Sequence, residues 1–281
     1  MKMKLTRKKF IKTLGAASIL APLTGYTSDS KKFDNQANEH SLNIGLASYS
    51  LRELSLDETL EVAKKLQLKS IAFKSMHMPL DSDEAKIKEI AGKVKAAGLD
   101  LYGAGVIYMK SEDEVNNAFN YAKLAGIRVI IGVPNYELLP LVEKKVKETN
   151  IKLAIHNHGP GDDVYPSPDT IYEKIKDLDT RVGMCIDIGH TFRIGQDPSE
   201  KAKKYADRMH DIHLKDVDGL GAEGKTLELG RGIMDIPAFM KTLKKIKYQG
   251  VVALEYEKDG KAPVPGLAES VGYARGIMDA V

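Results

Sequence analysis

The sequence holds a single cysteine, Cys185. One thiol excludes an intrachain disulfide and a thiolate metal cluster, and says nothing about redox compartment. Surplus charge is scarce as well. The formal net charge is +3, but residues 1–30 carry six positive side chains (Lys2, Lys4, Arg7, Lys8, Lys9, Lys12) against one negative, Asp29. Beyond them stand 36 positive and 38 negative residues, a net of −2. A nearly neutral body offers no electrostatic footprint for nucleic acid or acidic membranes. The first apolar run is not followed by the Gly-x-Gly-x-x-Gly turn of a dinucleotide fold. What remains is an ordinary globular composition, 43% hydrophobic and 29% charged over 281 residues, with no sign of disorder, collagen or a membrane bundle.

The first 30 residues read differently from the rest. Residues 1–12 are basic, and the apolar stretch 14–23 is short and broken by Pro22, too short for a permanent membrane span. Thr6-Arg7-Lys8-Lys9-Phe10-Ile11-Lys12 resembles a twin-arginine export signal with Lys8 in place of the second arginine. Leu23-Thr24-Gly25 resembles the first three positions of a bacterial lipobox, but Tyr26 stands where the lipidated cysteine belongs. The expectation is an exported, periplasmic protein without lipid and without stable membrane insertion after processing. The chain divides into a leader (1–30), a polar linker (31–40) and one folded domain (41–281).

That domain alternates short apolar runs with amphipathic stretches. The runs cover 42–48, 70–76, 99–107, 128–133, 151–157, 182–188, 209–215 and 251–257. Near-continuous apolar runs suit strands buried on both faces of a parallel sheet. The helices between them have readable ends. Ser55 with Glu58, and Ser111 with Glu114, form capping boxes. Asp197-Pro198 and Asp235-Ile236-Pro237 supply an N-cap acid followed by a first-turn proline. Gly98 and Gly126 sit at helix C-termini. Eight strand–helix units with right-handed crossovers close most simply into an α/β fold, the (β/α)8 TIM barrel.

In such a barrel the functional groups stand at the C-terminal ends of the strands. Here the last four runs end in ligand-type residues: His156-Asn157-His158, Asp187-Ile188-Gly189-His190, Asp211-Ile212-His213-Leu214-Lys215-Asp216 and Glu255-Tyr256-Glu257. Side chains two apart share a strand face, so His156 goes with His158, and Asp211 with His213 and Lys215. Lys74 and His77 after the second run, and Arg193 and Arg231 in later loops, are candidates to contact substrate oxygens. Tyr49 and Tyr108 are candidate pocket walls.

Asp-x-Gly-His at 187–190, His-Leu-Lys-Asp at 213–216 and a glutamate at the end of the last run resemble the signature of the xylose isomerase-like sugar isomerase/epimerase family. The resemblance covers about residues 41–281. It implies one divalent metal held by Glu, Asp, His and Glu. Asp187, His213 and Glu255 match, whereas the family's Glu-Asn-His reads His156-Asn157-His158 here. The implied ligand set is therefore His156, Asp187, His213 and Glu255. Mixed nitrogen and oxygen ligation suits Mn, Co, Zn, Fe or Ni better than Mg.

The resemblance further implies proton transfer beside a carbonyl of a carbohydrate or keto-sugar, through an enediolate. Glu255 is the expected base, Lys215 and His190 the partner groups, and Lys74, His77, His158, Arg193 and Arg231 the substrate contacts. With His156 in place of a glutamate, a symmetrical exchange between two carboxylates is lost, so a keto-sugar dehydratase, hydratase or lyase stands beside the isomerase/epimerase reading. A non-catalytic sugar-binding protein is the second alternative. The partner is a small carbohydrate, not nucleic acid, and homo-oligomerisation is left open.

Overall fold

A computed structural model describes residues 41–280. The leader and linker expected over 1–40 lie outside the described residues.

Eight parallel strands close the barrel: β1 (Asn43–Ala47), β2 (Ser70–Phe73), β3 (Asp100–Met109), β4 (Val129–Pro134), β5 (Lys152–His156), β6 (Val182–Asp187), β7 (Met209–Leu214) and β10 (Val251–Leu254). They neighbour one another in chain order, and β10 lies between β7 and β1. Two further short strands, β8 (Asp216–Val217) and β9 (Thr226–Leu227), pair as an antiparallel hairpin after β7. Helices α1 (Leu56–Lys65), α2 (Glu84–Ala96), α3 (Glu112–Ala125), α4 (Leu139–Thr149) and α5 (Pro168–Ile175) follow the first five strands. The short α6 (Ile188–Arg193) and α7 (Pro198–Lys204) follow β6, α8 (Ile236–Lys245) precedes β10, and α9 (Pro263–Ala280) ends the chain. Among the described residues no helix is long and apolar enough to cross a membrane.

The local signals act as their chemistry requires. Both capping boxes form, with Ser55 accepting from the Glu58 amide and Ser111 from the Glu114 amide. Asp197 and Asp235 cap α7 and α8. Gly126 closes α3 in the left-handed conformation, φ 72°, which glycine adopts without steric penalty.

The core has two layers. Outward-facing strand residues such as Ile44, Leu46, Ile71, Ile130, Leu153, Ile186, Ile212 and Val252 pack against the helices, and each buried aliphatic side chain contributes about 1.5–3 kcal/mol. Inside the barrel a separate cluster gathers Ala47, Ala72, Tyr102, Ile131, Ala154, Cys185 and Ala253. Its small members leave room above them, at the C-terminal strand ends, for polar side chains.

The long segment after β7 is strapped rather than loose. The buried Asp216 carboxylate accepts from the backbone amides of Val217 (2.9 Å), Gly230 (2.9 Å), Gly232 (3.0 Å) and Met234 (3.2 Å). Gly232 must be glycine, because a Cβ there would lie 2.1 Å from Asp216 Oδ1. Asp216→Ala would orphan four amides, one on a buried residue (Val217) and two on half-buried ones (Gly232 and Met234). It is expected to cost at least about 3 kcal/mol in urea unfolding, and to open the 218–234 segment to limited proteolysis. A cost below about 1 kcal/mol would contradict this role.

Candidate active site

The ends of β5, β6, β7 and β10 bring four ligand-type side chains together. One donor atom from each of His156, Asp187, His213 and Glu255 lies within 4.8 Å of the others, and all four residues are buried. The sheet register accounts for this. Asp187 and His213 are direct partners across β6 and β7, and His156 pairs with Cys185, two residues before Asp187. His213 pairs with Ala253, which places Glu255 just beyond the end of β10. His156 Nε2 lies 3.0 Å from His213 Nδ1 and 3.4 Å from Asp187 Oδ2, and His213 Nδ1 lies 2.9 Å from Glu255 Oε2.

The Asp-x-Gly-His segment does three jobs. Asp187 Oδ1 caps α6 by accepting from the His190 amide at 2.9 Å, which turns Oδ2 into the cluster. Gly189 clears a path for Lys215, whose Cγ would lie 2.5 Å from a Cβ at that position. His190 is carried to the cavity wall. Asn157, a residue without an assigned role in the sequence reading, clamps the turn: its Oδ1 accepts from the Asp187 amide at 3.0 Å, and its Nδ2 donates to the Asp187 carbonyl and to Thr191 Oγ1.

Lys215 is the internal cation of the site. Its ammonium lies 2.9 Å from Asp187 Oδ2, 2.8 Å from Glu255 Oε2 and 3.0 Å from Glu257 Oε1. Burial alone would lower its pKa, but these carboxylates outweigh burial and raise it well above the usual range. Burial pushes the Asp187 and Glu255 carboxyls up, yet Lys215 with His190 and His156 around Asp187, and His213 with Lys215 around Glu255, hold both well below the carboxylate range. Burial keeps His156 neutral by driving its pKa well down. For His213 burial works downward too, but Glu255, Asp211 and Asp187 prevail and raise it.

These shifts bear on whether a cation fits. Three carboxylates crowd one ammonium, and the pressure on His213 to become charged is what a cluster short of positive charge produces. Asp187 Oδ2 is buried without a directed hydrogen bond, Lys215 being a charge contact rather than an aligned donor. Donor separations of 2.9–3.4 Å are near the roughly 3.3–3.8 Å edges of a tetrahedron with 2.0–2.3 Å bonds. The four side chains therefore fit a transition-metal ion.

A cavity of about 290 Å³ opens above the cluster, lined by Tyr49, Lys74, Val106, Tyr108, His156, His158, His190, Glu255 and Glu257. A larger one, about 800 Å³, lies at the opposite end among strand starts such as Asn43, Lys152 and Val251, and holds none of the four. Of the expected substrate contacts, Lys74 and His158 do line the upper cavity. Lys74 Nζ donates to the Val106 carbonyl at 2.6 Å, and His158 stands between Tyr108 Oη (3.2 Å) and Asp162 Oδ2 (3.1 Å).

Three expected contacts lie elsewhere. His77 is buried and faces away from the cavity, its nitrogens 2.9 Å from Ser48 Oγ and 2.9 Å from Thr59 Oγ1. The turn after β2 folds its ring back under the barrel rim instead of continuing the strand. His77→Ala is expected to cost about 2–4 kcal/mol in stability and to leave KM for any substrate unchanged in steady-state assays. A raised KM with intact stability would contradict this placement. Arg193 is spent on the loop, donating to the carbonyls of Gly221 (3.0 Å) and Ala222 (2.6 Å), and touches His190 Nδ1 only at 3.4 Å. Arg231 is exposed and ion-paired with Glu269 at 2.8 Å. Glu257 was the residue overlooked: it lines the cavity and takes hydrogen bonds from Lys215 and Thr226.

Fold and site together define a (β/α)8 barrel with one buried His/Asp/His/Glu cluster under a small polar cavity. The xylose isomerase-like TIM barrel family model matches residues 136–277, and the chain belongs to that family. It is 30% identical over 145 residues to an inosose dehydratase of Clostridium perfringens, covering 46% of this chain and 46% of that protein. The chain spans about half the length of the first curated relatives it matches, from 42% to 46% of each. Among solved structures, 3-keto-D-glucoside 4-epimerase YcjR from E. coli superposes with a TM-score of 0.69 at 15% identity, over 84% of this chain and 99% of its own. The IOLI protein with a bound zinc atom superposes at 0.68 and 17% identity, over 85% and 97%. At such identities these two likenesses show the fold alone.

Proposed function

We propose that this chain is a metal-dependent enzyme of the sugar isomerase/epimerase type, moving a proton on the carbon beside a carbonyl of a carbohydrate or keto-sugar. The observation that carries this is Glu255, a carboxylate that belongs to the four-donor cluster and also lines the cavity. His156, Asp187, His213 and Glu255 would hold the ion. A divalent ion there supplies Lewis acidity, drawing electron density from neighbouring substrate oxygens and so acidifying the adjacent C–H.

The chain's own residues supply the rest. Both close contacts of the Glu255 carboxylate, from His213 and from Lys215, fall on Oε2, which leaves Oε1 to take the proton. Held below the usual carboxylate range, Glu255 is ionised at neutral pH but is a weak base, so it needs an acidified C–H. His190, on the cavity wall, and Lys215, buried beside Glu255, are the candidate groups to return or donate a proton. Lys74, His158, Tyr49, Tyr108 and Glu257 wall a cavity the size of one sugar ring. The metal's role, the base and the substrate contacts are all part of this proposal.

A second reading, a keto-sugar dehydratase or lyase, is favoured by one feature. His156, a neutral imidazole, stands in the cluster where a second glutamate would give a two-carboxylate exchange, so Glu255 is left without a carboxylate counterpart. That asymmetry suits elimination, and the inosose dehydratase similarity agrees with it. Incubation with aldoses, ketoses and 3-keto-glycosides in deuterated water separates the outcomes. Deuterium beside the carbonyl with an isomer or epimer as product supports the first reading, and loss of water or of an aglycone the second. No exchange and no product with any of them would refute both.

A further inference from the structure

The cavity is served by a second lysine whose surroundings are unlike those of Lys215. Lys74 follows Phe73, the last residue of β2, and its side chain lines the cavity. Its backbone is pinned at the rim, the amide donating to Ser48 Oγ at 2.9 Å and the carbonyl accepting from the His77 amide at 3.0 Å. The ammonium donates to the Val106 carbonyl at 2.6 Å and lies 5.8 Å from the centre of the Tyr108 ring. An ammonium has three N–H groups, so two are left without a protein acceptor. Among the described residues no carboxylate pairs with it. Burial lowers its pKa, and Glu255 offsets this only in part.

The other charges around the cavity are matched. Asp187, Glu255 and Glu257 all contact Lys215. A divalent ion in the four-donor cluster would bring two positive charges and Lys215 brings one, which together balance those three carboxylates. Asp162, beside His158, is outside the lining and accepts from the amides of Val164 and Tyr165. Lys74 is then the surplus charge of the cavity. In the closed strand order β2 stands across the barrel from β6, which carries Asp187. A substrate whose reacting oxygens meet the cluster therefore turns its far end toward Lys74.

We propose that Lys74 is a specificity-determining residue that binds the carboxylate of an acidic sugar, making the substrate class a monoanionic sugar acid, a uronate or keto-uronate, rather than a neutral carbohydrate. This rests on the cavity being the substrate site, as read above. A neutral hydroxyl would accept one hydrogen bond and leave the charge unmatched in a confined space, whereas a carboxylate offers both acceptors and the opposite charge. A phosphate monoester carries close to two negative charges at neutral pH and is typically met by guanidinium forks or several backbone amides. One ammonium matches a monoanion.

Calorimetric titration of the full-length protein, equilibrated with Zn2+, compares matched pairs: D-glucuronate with D-glucose, D-galacturonate with D-galactose, and D-fructuronate with D-fructose. At least one acid is expected to bind about 10–100-fold more tightly than its neutral partner, the usual worth of a charge-assisted hydrogen bond. Lys74→Met keeps the length of the side chain without its charge and is expected to abolish that preference, while Lys74→Arg keeps much of it. A preference that came from the ion alone would survive in Lys74→Met. If Lys74→Met does not fold, Lys74→Gln keeps a donor for the Val106 carbonyl and tests the same loss. Neutral sugars binding as tightly as their acids, an acid preference that survives removal of the charge, or no binding by any of the acids would overturn the proposal. Proton transfer is decided separately. Deuterium exchange into neutral sugars alone would keep the proton-transfer reading and sink this one, whereas acids that bind through Lys74 without exchanging would do the reverse.

Discussion

Glu255→Gln is expected to slow solvent-deuterium exchange into substrate by about 10²–10⁴-fold, the usual cost of removing a general base. The substitution keeps the shape of the side chain and an oxygen that can still ligate. It removes the negative charge that Oε1 needs to accept a proton. It also removes one of three carboxylates around Lys215, so the ammonium stays paired with Asp187 and Glu257 and the fold should persist. Metal affinity should fall much less than exchange does. Exchange at the wild-type rate would remove Glu255 from the mechanism and move the search for a base to His158, His190 and Lys215.

Lys215→Met is expected to destabilise the metal-free protein by about 3–5 kcal/mol, the cost of breaking a buried ion pair from one side. The Lys215 side chain is 2% exposed and has Asp187, Glu255 and Glu257 within 3.0 Å. Without it, buried carboxylates face one another with no cation among them. A divalent ion restores positive charge beside the same oxygens. Zn2+ or Mn2+ should therefore raise the melting temperature of Lys215→Met more than that of the wild type, as binding linkage requires when the variant's apo state is the more strained. Equal shifts in the two proteins would mean that Lys215 and the ion do not share a site.

The barrel was legible because its signals are local and agree with one another. The eight apolar runs match the eight barrel strands to within a few residues, and the capping boxes at Ser55 and Ser111 form as written. His156, Asp187, His213 and Glu255 were readable as one cluster because each stands at the end of an apolar run and the resemblance to the xylose isomerase-like family groups them as one ligand set. Where side chains left that geometry, strand position no longer gave their place. His77 looked like a strand-end ligand, but β2 stops at Phe73 and the following turn carries the ring back to Ser48 and Thr59. The guanidinium groups of Arg193 and Arg231 reach loop carbonyls and Glu269, partners that depend on how the 218–234 segment is strapped to Asp216. Glu257 was passed over because β10 ends at Leu254. Beyond it the strand pattern no longer reports partners, and Glu257 is held by hydrogen bonds from Lys215 and Thr226.

The measurement closest to the centre of this account is the metal content of the full-length protein after equilibration with Zn2+ or Mn2+ and removal of excess ion. Elemental analysis is expected to find about one ion per chain, as four donors converging on one point require. The ion should be lost from Asp187→Ala and from His213→Ala, and retained in Arg231→Ala, which lies outside the cluster. A wild-type protein that retains no divalent ion, or one whose ion survives both substitutions, would contradict the assignment of His156, Asp187, His213 and Glu255 as the metal centre.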